Sequence, residues 1–312
     1  MSEKIKTVFI VGPTASGKTA VSIELAKKFG GEIVSADSMQ IYKGIHIASA
    51  APDIEEMQGI PHHLLEFLPL DEQFSVADYV KAARKCIKDI ASRGKMPIVV
   101  GGTGLYISAL LDNTEFGEEK TDSALRSELE RLFNEKGAEE MLRELASFDP
   151  ETAARLHPNN RRRIIRAFEV YKLTGKTVTE QNELSHINES DLNPLVIGIN
   201  YNNRELLYNR INCRVDIMLE KGLLDEARQS FNREQSERGA FQAIGHKELY
   251  GYFKGECSLE ASAELLKQQT RRYAKRQLTW FRRDWRVNWL FADCENVTEK
   301  AEALVYNFLK EE

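Results

Sequence analysis

The stretch that most constrains the fold of this 312-residue chain is Gly12-Pro13-Thr14-Ala15-Ser16-Gly17-Lys18-Thr19, directly after the apolar run Val8-Phe9-Ile10-Val11. It fits the pattern G-x-x-x-x-G-K-[ST], which binds phosphate only with a strand before it and a helix after it. The sequence predicts both: Val8 to Val11 reads as a buried strand, and Lys18 to Lys28 as a helix. In such a loop the backbone N–H groups converge on phosphate oxygens, and the helix N-terminus adds the positive end of its dipole. Gly12 to Gly17 supply the cradle, Lys18 a point charge, and the Thr19 hydroxyl a ligand for Mg²⁺.

The pattern continues in the manner of a parallel sheet. Glu32 to Ser35 reads as a second strand, Val76 to Ile90 as a helix, and Met96 to Val100 as a third strand ending at Gly101-Gly102. Continuous apolar strands alternating with helices predict an α/β fold with a P-loop NTPase-like parallel sheet core. The character then changes. Asp122 to Lys136, Ala138 to Ser147, Pro150 to Leu156 and Arg161 to Thr174 all read as helices, punctuated by Asp149-Pro150 and Pro158-Asn159. The chain returns to a strand at Leu195 to Ile199 and is read as helical from there to its end. The expected organisation is a core of residues 1–112 and 195–312 with an all-helical insertion, 113–194. With 42% hydrophobic and 29% charged residues the composition is that of an ordinary globular protein. Cys86, Cys213, Cys257 and Cys294 are scattered without C-x-x-C spacing, as expected for reduced thiols. Neither a secretory leader nor an apolar run long enough to cross a membrane is read, so a cytoplasmic protein is expected.

A phosphate loop does not by itself mean nucleotide hydrolysis. P-loop NTPases have an acid at the end of a further strand to support Mg²⁺. Here the best candidate strand ends in Gly101-Gly102-Thr103-Gly104, whose glycines are read as allowing close approach of backbone to a ligand. Asp37, just after the second strand, falls at the carboxyl edge of the sheet, where ligands of such folds bind. It serves either as a base or acceptor beside the phosphates or as a simple N-cap. Arg210 and Arg214, four apart on one helix, are either a phosphate ligand and its neighbour or paired surface arginines. His62-His63 has no carboxylate or cysteine at ligand spacing and reads as packing or substrate contact.

Two stretches break the acidic average of a chain with net charge −5. Between Arg155 and Lys176 seven basic residues face one acid, Glu169; between Thr270 and Arg286 seven face Asp284, interleaved with Tyr273, Trp280, Phe281 and Trp285. Cations for phosphates beside aromatics for unstacked bases suit single-stranded RNA. Solvated helix faces with core aromatics are the plainer alternative.

Taken together these residues resemble the tRNA dimethylallyltransferases, also called tRNA isopentenyltransferases. The likeness rests on the phosphate loop, Asp37-Ser38-Met39-Gln40-Ile41-Tyr42-Lys43-Gly44, Pro61-His62-His63-Leu64 and Val100-Gly101-Gly102-Thr103-Gly104-Leu105-Tyr106. It continues through His157-Pro158-Asn159 before Arg161-Arg162-Arg163, Arg210-Ile211 with Arg214-Val215-Asp216, Ala243 to Glu248, and Ala274-Lys275-Arg276-Gln277 before Thr279-Trp280. Two departures stand out: Ala48-Ser49-Ala50-Ala51-Pro52 replaces the family's Gly-Thr-Ala-Lys-Pro, and Asn160 replaces an acid.

The resemblance implies transfer of a dimethylallyl group from dimethylallyl diphosphate to N6 of the adenosine just 3′ of the anticodon, with Mg²⁺ as cofactor. It gives catalytic roles to Asp37, Lys18, Thr19 and Arg214. It also implies that Asp37-Ser38-Met39-Gln40, Thr103 and Arg126 contact the tRNA anticodon stem-loop. Further contacts are implied for Arg162-Arg163-Ile164-Ile165-Arg166, Gln242-Ala243-Ile244-Gly245-His246-Lys247 and Lys275-Arg276-Gln277-Leu278-Thr279-Trp280-Phe281-Arg282. The partners expected are tRNA and the prenyl diphosphate, without DNA or membrane, for a monomer. The rival readings are an adenylate isopentenyltransferase acting on free AMP, ADP or ATP, a P-loop small-molecule kinase, and a non-catalytic RNA-binding module.

Overall fold

The computed structural model describes residues 4–114, 122–184, 190–232 and 243–311. The chain divides into two compact units, one of residues 1–111 and 191–312, the other of residues 112–190.

The first unit is built on a six-stranded, wholly parallel sheet. Its strands are β1 (Ile5–Val11), β2 (Gly31–Ser35), β3 (His62–His63), β4 (Met96–Gly101), β5 (Leu192–Asn200) and β6 (Val287–Phe291), in the spatial order β3-β2-β4-β1-β5-β6. This is the doubly wound α/β core expected from the sequence. The chain builds the sheet to one side of β1 first and then to the other, so the order reverses at β1, and the crevice beyond its carboxyl end is the favoured ligand position.

Side-chain alternation supplies both faces of the sheet. Val8 and Ile10 join Ile98 and Ile197 in a cluster with Val21 and Leu25 of α1 (Lys18–Phe29) and Ala301, Val305 and Phe308 of α15 (Val297–Lys310). Phe9, fully buried, faces the other way. Helix α4 (Val76–Ser92) packs against β1, β2 and β4. Its start is fixed by a capping box, in which Ser75 Oγ accepts the Asp78 N–H and the Asp78 carboxylate accepts the Ser75 N–H.

Short helices α2 (His46–Ser49) and α3 (Ile54–Met57) follow β2, and α5 (Gly104–Leu111) follows β4. After β5 come α11 (Arg204–Glu220), α12 (Leu223–Asn232), the single turn α13 (Tyr250–Phe253) and the long α14 (Leu259–Phe281). The second unit holds α6 (Ser123–Lys136), α7 (Ala138–Ala146), α8 (Pro150–Arg155), α9 (Arg161–Thr174) and α10 (Val178–Leu184) around a core of Leu129, Met141, Leu145, Ile164, Ile165 and Phe168.

Two expectations about strands change, and one further strand is added. Strand β5 starts at Leu192 and not Leu195, because Pro194 is admitted where β6 offers no partner: pairing with β6 begins only at Val196. The chain beyond β5 is not all helical, since β6 forms a half-exposed edge strand of five residues, too short and too mixed to show a period. His62-His63 forms the opposite edge strand, paired with Ile33 and Val34. No helix among the described residues is long and apolar enough to cross a membrane.

Candidate active site

The phosphate loop turns out of β1 at Gly12, with φ at 143°. A Cβ there would lie 2.3 Å from the carbonyl oxygen of Ile199, so only glycine lets the loop pass over β5. Ala15 and Gly17 are also left-handed, with φ of 62° and 98°, and α1 starts at Lys18 without a side-chain cap. Its first N–H groups are left for an anion. Lys18 Nζ donates to the Pro13 carbonyl at 2.7 Å, bracing the loop from within. Burial, reinforced by the Arg214 charge and opposed by Asp37, brings the Lys18 amine down to about 7.

Arg210 and Arg214 of α11 both reach the loop. Arg214 donates to Thr14 Oγ1 at 3.3 Å, and Arg210 Nε donates to the Ala15 carbonyl at 3.0 Å while lying 5.5 Å from the Tyr201 ring. This arrangement decides against the surface-pair reading, because Arg214 and Lys18 present two cations to one loop.

Asp37 follows β2 at the same edge of the sheet. Its Oδ1 accepts the N–H groups of Met39 at 2.9 Å and Gln40 at 3.4 Å. Among the described residues Oδ2 takes no hydrogen bond. Oδ1 therefore caps the turn that follows, and Oδ2 is left to serve as an acceptor. Burial pushes the Asp37 carboxyl up, against the two backbone donors and the charges of Lys18 and Arg214. Ser38 N–H donates to Thr103 Oγ1 at 2.9 Å, so the Gly101-to-Gly104 loop braces the loop that carries Asp37.

These groups share a cavity of about 340 Å³, lined by Thr14, Lys18, Thr19, Asp37 and Arg214, and by Ala48, Val215, Met218, Ile244 and Leu266. The last five belong to one hydrophobic cluster, which makes the apolar lining continuous. The cavity thus joins an anion cradle, a half-buried carboxylate and an apolar wall. Thr19 offers a single hydroxyl to a metal, and the described residues contain no cluster of three or more His, Cys, Asp or Glu that could hold one. This donor set fits a Mg²⁺ ion that arrives on a diphosphate and completes its shell with phosphate and water oxygens.

The glycines at the end of β4 and just beyond it also pack tightly against the protein itself, and Gly101 and Gly102 line the cavity. A Cβ on Gly101 would fall 2.1 Å from the Ala36 carbonyl oxygen, one on Gly102 2.1 Å from Gln277 Nε2, and one on Gly104 2.5 Å from the Trp280 indole. The close neighbours are the protein's own chain.

The residues matched to tRNA contacts separate into outward and inward groups. Arg162, Arg163, Lys247, Lys275, Arg276, Thr279 and Arg282 are exposed, as is Trp280, whose indole N–H donates to Ser108 Oγ at 2.8 Å. Arg126 pairs with Glu130 and Glu169, and Arg166 with Glu169. Ile164 and Ile165 lie in the core of the second unit, and Ala243, Gly245, His246, Gln277 and Phe281 are buried in the first. Ile244, Leu278 and Met39 are half-buried. Gln242 lies outside the described residues.

His246 donates or accepts at Glu226 Oε1 (3.1 Å), and that carboxylate takes the N–H groups of Ile47 and Ala48 at 2.8 and 2.9 Å. Glu226 thereby fixes α2, whose residues Ala48 and Ser49 line the cavity. No motif marked Glu226; only the spatial meeting of α2 and α12 reveals it. Ala51, at the position of the family's lysine, is buried. Asn160 accepts the His157 N–H at 2.9 Å, as a carboxylate there would.

A parallel sheet that reverses its order at a phosphate-loop strand, with a half-buried carboxylate after β2, two strands away at the same edge of the sheet, defines a P-loop enzyme acting on a phosphorylated small molecule. The profile of the IPP transferase family matches residues 40–284. A tRNA dimethylallyltransferase of Geobacillus thermodenitrificans is 49% identical over 310 residues, covering 97% of this chain and 96% of that protein. One of Caldanaerobacter subterraneus is 44% identical over 307 residues, covering 98% of each. The solved tRNA isopentenylpyrophosphate transferase of Bacillus halodurans superposes with a TM-score of 0.72 at 44% identity, covering 98% of this chain and 96% of its own. A eukaryotic dimethylallyltransferase acting on tRNA superposes with a TM-score of 0.80 at 31% identity, covering 99% and 81%. The chain belongs to the IPP transferase family, and it is a prenyltransferase.

Proposed function

We propose that this enzyme transfers a dimethylallyl group from dimethylallyl diphosphate to N6 of the adenosine 3′-adjacent to the anticodon in tRNA, releasing diphosphate. The observation that carries the reading is the shared cavity. It sets the anion cradle of Lys18, Thr14 and Arg214 beside Asp37, with a continuous apolar wall alongside.

The exocyclic nitrogen of adenine is a weak nucleophile, so transfer depends on departure of the leaving group. The allylic C–O bond breaks and its electron pair leaves with the diphosphate, while the N6 lone pair forms the new C–N bond. Loop N–H groups, Lys18 and Arg214 stabilise the negative charge that develops on the departing oxygens. The N6 proton passes to Asp37, whose raised pKa makes the carboxylate a better base than an exposed aspartate. The cavity wall of Val215, Met218 and Leu266 keeps water from the allylic carbon, which would otherwise be hydrolysed. Thr19 would hold Mg²⁺, which would supply further charge neutralisation to the diphosphate. An adenine inside the anticodon arm reaches such a site only when unstacked, and the exposed cations of α9 and α14 suit the phosphates around it. The reaction belongs in the cytoplasm with its tRNA.

The name of the eukaryotic neighbour and those of the full-length relatives support this acceptor over free adenine nucleotides. The test is incubation with labelled dimethylallyl diphosphate and, in parallel, unmodified tRNA, AMP or ATP. Label on tRNA alone is expected; label on AMP but not tRNA overturns the reading.

A further inference from the structure

Gln277 sits in the stretch of α14 matched to tRNA contacts, yet it is only 5% exposed and faces inward. Its side-chain oxygen accepts the Thr14 N–H of the phosphate loop at 2.8 Å, and its Nε2 donates to the Gly102 carbonyl at 3.0 Å. The fit is close enough that a methyl group on Gly102 would strike Nε2 at 2.1 Å. One helical turn earlier Tyr273 lines the cavity, and its hydroxyl meets the side chains of Thr103 and Gln277. Thr103 in turn holds Ser38, the residue after Asp37. A continuous run of side-chain contacts therefore joins the phosphate loop to the Asp37 loop, and both of its helical members come from α14.

We propose that Gln277 is a positioning residue for prenyl transfer: it ties the phosphate loop to the end of β4 and so sets the spacing between the departing diphosphate and the base. This inference rests on the function proposed above. A planar amide suits the task because it presents one acceptor and one donor side by side, as the Thr14 N–H and the Gly102 carbonyl require. Arg272 and Lys275 of the same helix are exposed and stand outside the cavity lining, so the outer and inner faces of α14 divide the labour.

The test uses full-length protein with Gln277→Met, which keeps length and removes both hydrogen bonds, and Gln277→Glu, which keeps the acceptor. Single-turnover transfer at saturating tRNA and dimethylallyl diphosphate should fall by roughly 10- to 100-fold in Gln277→Met, while affinity for an unmodified anticodon stem-loop stays unchanged. Gln277→Glu should recover part of the rate at low pH, where a protonated carboxyl can donate to Gly102. Its rate relative to wild type should fall as pH rises and the carboxyl ionises. A merely structural role would not give that pH-dependent ratio. Hydrogen exchange at the Thr14 amide should accelerate in Gln277→Met whatever the enzyme's activity, so the strut is read even if wild type fails to prenylate tRNA, a result that would instead strike the functional proposal. Normal single-turnover rate with weakened stem-loop binding, or an unchanged Thr14 amide, overturns the inference. If Gln277→Met does not fold, the Gln277→Glu pH ratio decides alone.

Discussion

At the scale of single residues the site places a carboxylate and an amine in one cavity and moves both pKa values toward neutrality. For Asp37 the consequence is a base limb in the pH profile. The carboxylate must be ionised to take the N6 proton, so turnover should fall as pH drops through its raised pKa, at a higher pH than for an ordinary aspartate. Asp37→Ala should lower turnover by roughly 10²–10⁴-fold while anticodon stem-loop binding, read by filter retention, persists. For Lys18 the sign runs the other way. With its amine at about 7 in the free enzyme, an arriving diphosphate raises that pKa and draws in a proton. Donor affinity should therefore be flat below pH 7 and weaken as pH rises above it. Calorimetry in buffers of different ionisation heat should find proton uptake at pH 8 that Lys18→Met lacks. The types of these residues are legible in the sequence because the phosphate-loop pattern is dense in information. Gln277 and Glu226 are not, since each draws its role from backbone groups far away in the chain that no local pattern predicts.

At the scale of elements, the chain shows how packing overrides propensity. Gly104 opens α5 and alanine is the better helix former there, yet a Cβ would press into the Trp280 indole at 2.5 Å. Gly104→Ala should thus destabilise the fold, by about 1–3 kcal/mol in urea denaturation, against the direction that propensity gives. The strands flanking the phosphate loop were readable because they are continuously apolar and buried on both faces. Strands β3 and β6 were not, because each is a short edge strand whose side chains are partly exposed. The close packing of Gly101, Gly102 and Gly104 against Ala36, Gln277 and Trp280 is a second demand for glycine that no local pattern announces.

At the scale of the whole molecule, a net charge of −5 conceals exposed basic faces on α9 in one unit and α14 in the other. If these faces meet RNA phosphates, tRNA affinity should fall steeply with salt despite the acidic average. The logarithm of the association constant should drop with the logarithm of salt at a slope steeper than about −2. Arg163→Ala and Arg276→Ala should each make that slope shallower, as fluorescence anisotropy across a salt series would record. A slope near zero would assign both faces to solvent. Which strand neighbours which, and therefore the assembly of the cavity from β1, β2, β4, α11 and α14, lay beyond the sequence because it depends on pairings between distant segments. The most direct measurement is nucleoside analysis of tRNA treated with the enzyme, Mg²⁺ and dimethylallyl diphosphate. One five-carbon prenyl group on N6 of the adenosine 3′ of the anticodon, formed by wild type and absent with Asp37→Ala, is the predicted result. Prenylation of free adenine nucleotides in place of tRNA, or undiminished product from Asp37→Ala, would contradict it.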